Sequence, residues 1–279
     1  MSERFDTLFA GMSEETAMET LLKPPAELKN PGLKYLAATR LGACQSPESL
    51  QRLLAAGAND SDDLYERITR RKALEALGRR KDRSALPVLL AALQADDEPT
   101  VVNAADAIAR LGTPLNKEEQ TALLQALQGP DNQRRAVLQA FCRLGMNDAS
   151  GQIDRCRNDI NPLVAGAAHA YAVRVLGDQQ GLHPLVEQLR DDNPGRRRAA
   201  VIDLGDAGRI EALAALIRCP VSMPLRAKSA FQMATSQAGA VDPDATDLLK
   251  ELLQDDPRQL NLDGIPETAA EPEAIKEGL

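Results

Sequence analysis

One dipeptide recurs along the chain at nearly constant spacing. Leu-Gly stands at Leu41-Gly42, Leu77-Gly78, Leu111-Gly112, Leu144-Gly145, Leu176-Gly177 and Leu204-Gly205, at intervals of 36, 34, 33, 32 and 28 residues. Each pair closes an apolar, helix-patterned run, where a terminating residue without a side chain adopts the left-handed conformation at least cost. The stretch from Arg70 to Leu93 shows the unit. One helix ends at Gly78, a polar turn covers Arg79 to Arg83, and a second helix places Leu86, Leu89, Leu90 and Leu93 along one stripe. Pro87 falls in its first turn, where the missing N–H costs little. A two-helix unit of this period cannot bury its apolar face alone and stacks on its neighbours, which defines a solenoid. The last interval is shorter by close to one helical turn, so it keeps the buried face.

Composition agrees with this geometry. Apolar residues make up 43% of the chain and aromatic ones 3%, with no Trp, so Ala and Leu must fill the spaces between closely stacked helices. No run alternates apolar and polar positions with Val, Ile and Thr enrichment, which leaves strands without support. A net charge of −8 and a pI of about 5.0 argue against a general nucleic-acid binder, whose phosphate contacts need surplus Lys and Arg. The opening MSERFDTLFAGM lacks the apolar core of a signal peptide. No run reaches the roughly 18 apolar residues of a membrane span, and a soluble, cytoplasmic protein is expected. Cys44, Cys142, Cys156 and Cys219 form no C-x-x-C pair, and only His169 and His183 could join them as soft ligands. Reduced thiols and no metal site are expected.

The punctuation predicts an N-terminal cap over 1–30, a repeat region over 31–254 and a tail over 255–279. Ser13 is a candidate N-cap for a helix from Glu14, although Thr16 stands where a capping box needs Glu or Gln. Residues 147–160 offer Ile153, Cys156 and Ile160 as apolar positions, which predicts a short or irregular outer helix. The tail holds seven acidic and two basic residues with little apolar periodicity, so disorder is expected there.

The turns before the Leu-Gly helices are rich in Asp, Asn and Pro (DDEPTVVNAADAIARLG, PDNQRRAVLQAFCRLG, NDINPLVAGAAHAYAVRVLG, DDNPGRRRAAVIDLG) and resemble those of HEAT-type repeats. The resemblance implies an all-α, HEAT-like α-solenoid of about six helical hairpins, a right-handed superhelix whose concave inner face is lined by the Leu-Gly helices. A narrower resemblance rests on RITRRKALEALGRRKDRSALPVLLAAL (67–93), NPGRRRAAVIDLGDAG (193–208) and RCPVSMPLRAKSAF (218–231). Over roughly Leu33 to Ala234 the chain is similar to the E/F-type phycobilin lyases of cyanobacteria. That family attaches an open-chain tetrapyrrole by a thioether to a cysteine of a phycobiliprotein subunit. The implied substrate is phycoerythrobilin or phycocyanobilin, with no tightly bound cofactor. Implied partners are a phycobiliprotein alpha or beta subunit and a smaller HEAT-type chain or a second copy, with no nucleic acid and no membrane. The Asn-His-Cys type motif of the isomerising relatives is absent, so isomerisation is not implied. A non-catalytic HEAT chaperone or scaffold for phycobiliproteins and a bilin-detaching relative fit the same repeats.

A bilin presents two propionates, which suit Arg forks, and pyrrole N–H groups, which suit a carboxylate. Arg67, Arg70 and Arg71 share one helix face by their spacing, with Tyr65 nearby, and are candidates to bind it. The plain alternative is that one of them pairs with an Asp of the adjacent turn. Arg196, Arg197 and Arg198 fan over about 200° at roughly 100° per residue, so Arg198, paired with Asp203, is the candidate there. Asp203 is the candidate catalytic carboxylate. His169 and Tyr171 could stack on or bond a pyrrole ring, and Arg226, with Lys228 close behind, could meet a propionate. Cys219 is a possible adduct site, against the simpler reading of a packed thiol. The basic turn at Arg79 to Arg83 is expected to be solvated or to face an acidic partner.

Overall fold

The computed structural model describes residues 11–147, 150–236 and 243–254. The expected tail and the first ten residues of the expected cap lie outside the described residues. Helices follow in the order α1 (Glu14–Leu22), α2 (Leu33–Leu41), α3 (Pro47–Ala58), α4 (Leu64–Arg80), α5 (Leu86–Ala92), α6 (Glu98–Leu111), α7 (Lys117–Gln125), α8 (Asp131–Leu144), α9 (Ser150–Arg155), α10 (Pro162–Tyr171), α11 (Leu182–Glu187), α12 (Pro194–Ala207), α13 (Leu213–Arg218), α14 (Met223–Ser236) and α15 (Pro243–Gln254). No strand occurs among the described residues. The fold is an all-α array of HEAT-type hairpins. As the sparse apolar pattern predicts, the described residues of the 147–160 segment form the short α9 and a single 3-10 turn.

Polar caps set the helix starts. Ser13 accepts from Thr16 N at 3.1 Å, Ser46 from Ser49 N at 3.1 Å, Asn161 from Leu163 N at 2.9 Å and Asn193 from Gly195 N at 2.8 Å. Each such side chain satisfies an N–H that the helix itself cannot. Asn116 and Glu119 exchange bonds of 2.9 and 2.7 Å in a full capping box. Pro follows the cap directly at Pro47, Pro162 and Pro194, where its fixed φ already suits a helix.

The chain divides into two compact units, one ending at Ala140 and one beginning at Phe141. In the first, α2, α4 and α6 pack side by side as an inner layer, and α3, α5 and α7 form the outer one. Leu53, Leu74, Leu77, Leu89 and Ile108 are fully buried between the layers. In the second, α10, α12 and α14 form the inner layer, α11 packs on α10 and α12, and α15 covers α13 and α14.

The Leu-Gly stops prove to be two structures rather than one. Gly112, Gly145 and Gly177 have φ of 68°, 66° and 71° and terminate their helices as the sequence predicts. Gly78 and Gly205 lie inside α4 and α12, which run on to Arg80 and Ala207 before Lys81, at φ 55°, and Gly208, at φ 69°, end them. What these glycines provide is proximity. A Cβ built on Gly78 would lie 2.7 Å from Ala107 Cα, one on Gly205 2.9 Å from Ser229 Cβ, and one on Gly42 2.8 Å from Ala76 Cβ. Each glycine faces the next inner helix and lets its backbone approach.

The expected polar turn after Gly78 is corrected with it. Arg79 bonds Glu75 at 2.9 Å, Arg80 reaches Ser49 Oγ at 2.7 Å and Ser46 O at 2.9 Å, and Arg83 reaches Pro114 O at 2.9 Å. Arg80 and Arg83 tie the turn to neighbouring hairpins and Arg79 bonds within its own helix, while Lys81, Asp82 and Arg83 remain exposed as expected. Gly78→Ala should therefore lower the unfolding free energy by about 1–3 kcal/mol through overpacking, against the roughly 1 kcal/mol that Ala gains in helix propensity. Gly112→Ala, whose Cβ would meet only Arg110 O at an ordinary 3.8 Å, should show only the left-handed backbone cost of about 1–2 kcal/mol. Urea unfolding of both variants measures the difference, and a stabilised Gly78→Ala would refute the close-packing role.

Candidate functional site

In the first unit the predicted arginines do come together. Asp63 caps α4 by accepting from Tyr65 N at 2.8 Å and Glu66 N at 3.1 Å, so the helix presents Arg67, Arg70 and Arg71 within its first two turns. Against them lies the start of α6, where Asp97 accepts from Thr100 N at 3.0 Å. Arg71 forks onto the same carboxylate, with Nε 3.2 Å from Oδ2 and the second donor closer still. This is the pairing of an arginine with the Asp of the next turn. Burial pushes the Asp97 carboxyl up, but the Thr100 hydroxyl and Arg71 outweigh it, and the net pKa lies below the usual carboxylate value.

Arg67 and Arg70 are placed differently. Arg67 stands 3.8 Å from Asp97 with 44% of its side chain exposed, a separation too long for a hydrogen bond. Arg70 donates through Nε to Gly57 O at 3.2 Å. Both line a cleft of about 630 Å³ whose other walls include Asp60, Asp62, Asp96 and Gln94. Tyr65, 37% exposed, stands one turn nearer the helix start. The cleft offers guanidinium donors to an anion beside carboxylates able to accept N–H groups, and its volume is in the range of small-molecule sites.

The second unit departs from expectation. Asp203 is fully buried, and a Cβ on Gly166 would come 2.9 Å from its Oδ2, so its carboxylate lies among helices and presents nothing to solvent. Tyr171 is equally buried and donates its hydroxyl to Met146 O at 2.8 Å. Arg226, buried as well, donates through Nε to Val221 O at 3.2 Å and also to Ile217 O, serving carbonyls that the end of α13 leaves without helical partners. These three side chains are interior. His169 is half-buried. Burial first, and the Arg157 guanidinium second, press its pKa below the usual imidazole value, and its Nδ1 has no hydrogen-bond partner. Arg198 is exposed.

One residue that spacing did not single out organises this unit. Asp206, 1% exposed, receives Arg143 Nε at 2.9 Å and Gln232 Nε2 at 2.7 Å on Oδ1, and Arg174 Nη1 at 3.0 Å on its backbone carbonyl. Its place just after a Leu-Gly stop, on a helix crowded with Arg and Asp, was the available signal. Cys219 is buried, with Sγ 3.7 Å from Leu189 O, and desolvation pushes its pKa up to about 12. Cys142 is likewise buried and raised. No group of three or more His, Cys, Asp or Glu suited to a metal occurs among the described residues, and no helix among them is long and apolar enough to cross a membrane.

Comparison with known proteins places the chain in two steps. Residues 65–142 match the HEAT repeat family, so the class is that of helical-repeat proteins. The complex of CpcE and CpcF of phycocyanin lyase from Nostoc sp. shares the fold, with a TM-score of 0.75 over 86% of this chain and 95% of that one at 24% identity. An uncharacterized phycocyanin operon protein Y of Pseudanabaena tenuis is 29% identical over 94% of this chain and 63% of its own length. The bilin biosynthesis protein PecE of Nostoc sp. is 31% identical over 56% of this chain and 62% of its own, and RpcE of a Synechococcus sp. is 28% identical over 77% and 88%. This chain thus spans about three fifths of the first two relatives. In its repeats and its fold the chain is similar to these proteins.

Two measurements check the site's physical chemistry. Asp97→Asn keeps a cap but loses the charge, and should cost about 1–2 kcal/mol at neutral pH. Because the Asp97 pKa is depressed on folding, that advantage of the natural residue is complete above the unfolded value of about 3.9. It should fade as pH falls through the lower folded value; an advantage unchanged at still lower pH would contradict the pairing. In thiol labelling of the native protein at pH 8, the half-buried Cys156 should react first, with Cys142 and Cys219 protected until unfolding.

Proposed function

We propose that the chain attaches an open-chain tetrapyrrole, phycoerythrobilin or phycocyanobilin, by a thioether to one cysteine of a phycobiliprotein alpha or beta subunit. Similarity to bilin biosynthesis proteins supports the reaction class, and the observation that carries the reading on this chain is the Arg67–Arg70 cleft. In it Arg67, paired with Asp97 only at 3.8 Å and without a hydrogen bond to it, stands beside acidic walls in a cleft of small-molecule size. Propionates would bind Arg67 and Arg70, and pyrrole N–H groups the facing carboxylates. Arg71 holds the cleft's shape through Asp97, while Tyr65 does not line the cleft and the exposed Arg198 is left to the acceptor protein. His169 remains a candidate contact in the second unit, whereas Asp203, Tyr171 and Arg226 act as core residues.

The nucleophile in this reaction is the acceptor's thiol. Its sulfur forms a bond to an exocyclic alkene carbon of the pigment while the thiol proton ends on the pigment, so atoms balance with no oxidant or reductant. The chain needs no reactive cysteine of its own, in keeping with the buried Cys142 and Cys219. Its contribution is orientation of the bound pigment toward the incoming thiol and selection of the acceptor by docking. A smaller HEAT-type partner chain would work with it, in the cytoplasm.

Co-production with a bilin pathway and candidate subunits, read as zinc-enhanced fluorescence in a denaturing gel, tests this. Pigment should appear on one subunit only when this chain is present, and vanish when that subunit's cysteine is changed to Ala. Arg67→Ala should reduce attachment by about ten-fold with little shift in melting temperature, whereas Arg70→Ala, which also removes the bond to Gly57 O, and Arg71→Ala should lower the melting temperature as well. Subunits bound but never pigmented would replace the lyase with a chaperone or scaffold.

A further inference from the structure

A second cavity lies within the first unit, between α6 and the first turns of α8, with a volume of about 400 Å³. Pro99, Val102 and Ala136 supply its apolar walls and Glu98, Asn103 and Asn132 its polar ones. Glu98 is the unusual member. Its Oε1 is shielded from solvent and has no hydrogen-bond partner, a condition that native structures seldom tolerate without a role for the group. The other oxygen of the carboxylate is not shielded and is engaged by no residue among those described, so it is the one open to a ligand in the groove.

The rest of the groove narrows what would satisfy that oxygen. Arg135 also lines it, so the groove carries one cationic and one anionic side chain and does not select for a free cation. A neutral N–H donor fits better. Asn103 Nδ2 donates to Pro99 O at 2.7 Å, while the exposed Asn132 carboxamide is engaged by no residue among those described and can donate in its turn. A carboxylate acceptor beside an amide donor, over an apolar wall, complements a flat ring with N–H and C=O on one edge. That edge is a lactam, and each terminal ring of an open-chain tetrapyrrole carries one.

Position supports the match. The Arg67–Arg70 cleft lies on the α4 side of the α6 N-terminus and this groove on the α8 side. The two adjoin at the start of α6, where Asp97 lines the cleft and the next residue, Glu98, lines the groove, and packed helix axes lie roughly 8–10 Å apart. A linear tetrapyrrole with propionates on its central rings and lactams at its ends spans such a distance.

We propose that the Glu98 groove takes one terminal lactam ring of the tetrapyrrole, with Glu98 accepting the ring N–H and Asn132 donating to the ring carbonyl. The inference rests on the bilin reading above and adds to it the element that fixes which way along the cleft the pigment lies.

The test titrates the full chain with biliverdin and with biliverdin dimethyl ester, following pigment absorption and induced circular dichroism. Glu98→Gln, which removes the charge, and Val102→Phe, which fills the groove, should each weaken both pigments by about ten-fold. The double Arg67→Ala, Arg70→Ala variant should weaken the free acid and leave the ester, whose propionates are blocked, unchanged. Wild-type affinities in Glu98→Gln and in a folded Val102→Phe would overturn the groove while leaving the arginine cleft standing. Failure of the natural chain to bind either pigment would overturn both. Should Val102→Phe not fold, Glu98→Gln alone decides.

Discussion

The distance between consecutive inner helices governs this structure. At Gly42, Gly78 and Gly205 the facing backbone or Cβ lies where a side chain would have been, so the helices meet almost backbone to backbone. Ala73, Ala76, Ala104 and Ala107 are fully buried in the same layer of the first unit. This closeness also makes the cleft. With α6 drawn tightly against α4, the Asp97 cap comes within reach of Arg71, and the next arginines along α4 are left facing the gap that the turn cannot fill.

Within that gap the three arginines divide their work by geometry. The fork of Arg71 is matched to a partly buried carboxylate, a strong and directional pairing. Arg70 braces the preceding hairpin through the Gly57 carbonyl. Arg67, too far from Asp97 for a bond, keeps a charge that a mobile anion can meet. A cluster that reads as one basic patch is therefore graded from structural to available over a single helical turn.

The repeat was legible in the sequence because a helix must stop and restart at each unit, and stops have a chemical signature in Gly, Pro, Asp and Asn. The role of each glycine was less so. Gly78 and Gly112 occupy the same place in the dipeptide, and only the neighbouring helix shows that one is needed for proximity and the other for its φ. Spacing correctly put Arg67, Arg70 and Arg71 on one face, since faces follow from 3.6-residue periodicity. Periodicity does not say which face is covered, and so Asp203, Tyr171 and Arg226, all polar, were read outward although the fold encloses them. Arg226 is the hardest case. Its burial depends on the orphaned carbonyls of Ile217 and Val221, a local demand that arises only once α13 ends where it does.

Asp206 has a further consequence. A helical-repeat array ordinarily behaves as a chain of nearest neighbours, so that its units open one at a time from an end. Through one carboxylate and its own carbonyl, Asp206 joins the close of α8, the turn that follows α10, and α14. The Arg143 bond reaches across two repeats and is a second-neighbour coupling. Opening any of these helices uncovers the same buried charge, which links their fates. In hydrogen exchange the amides of α10, α12 and α14 would then share a single opening free energy, and this part of the array would act as one cooperative block with no frayed end.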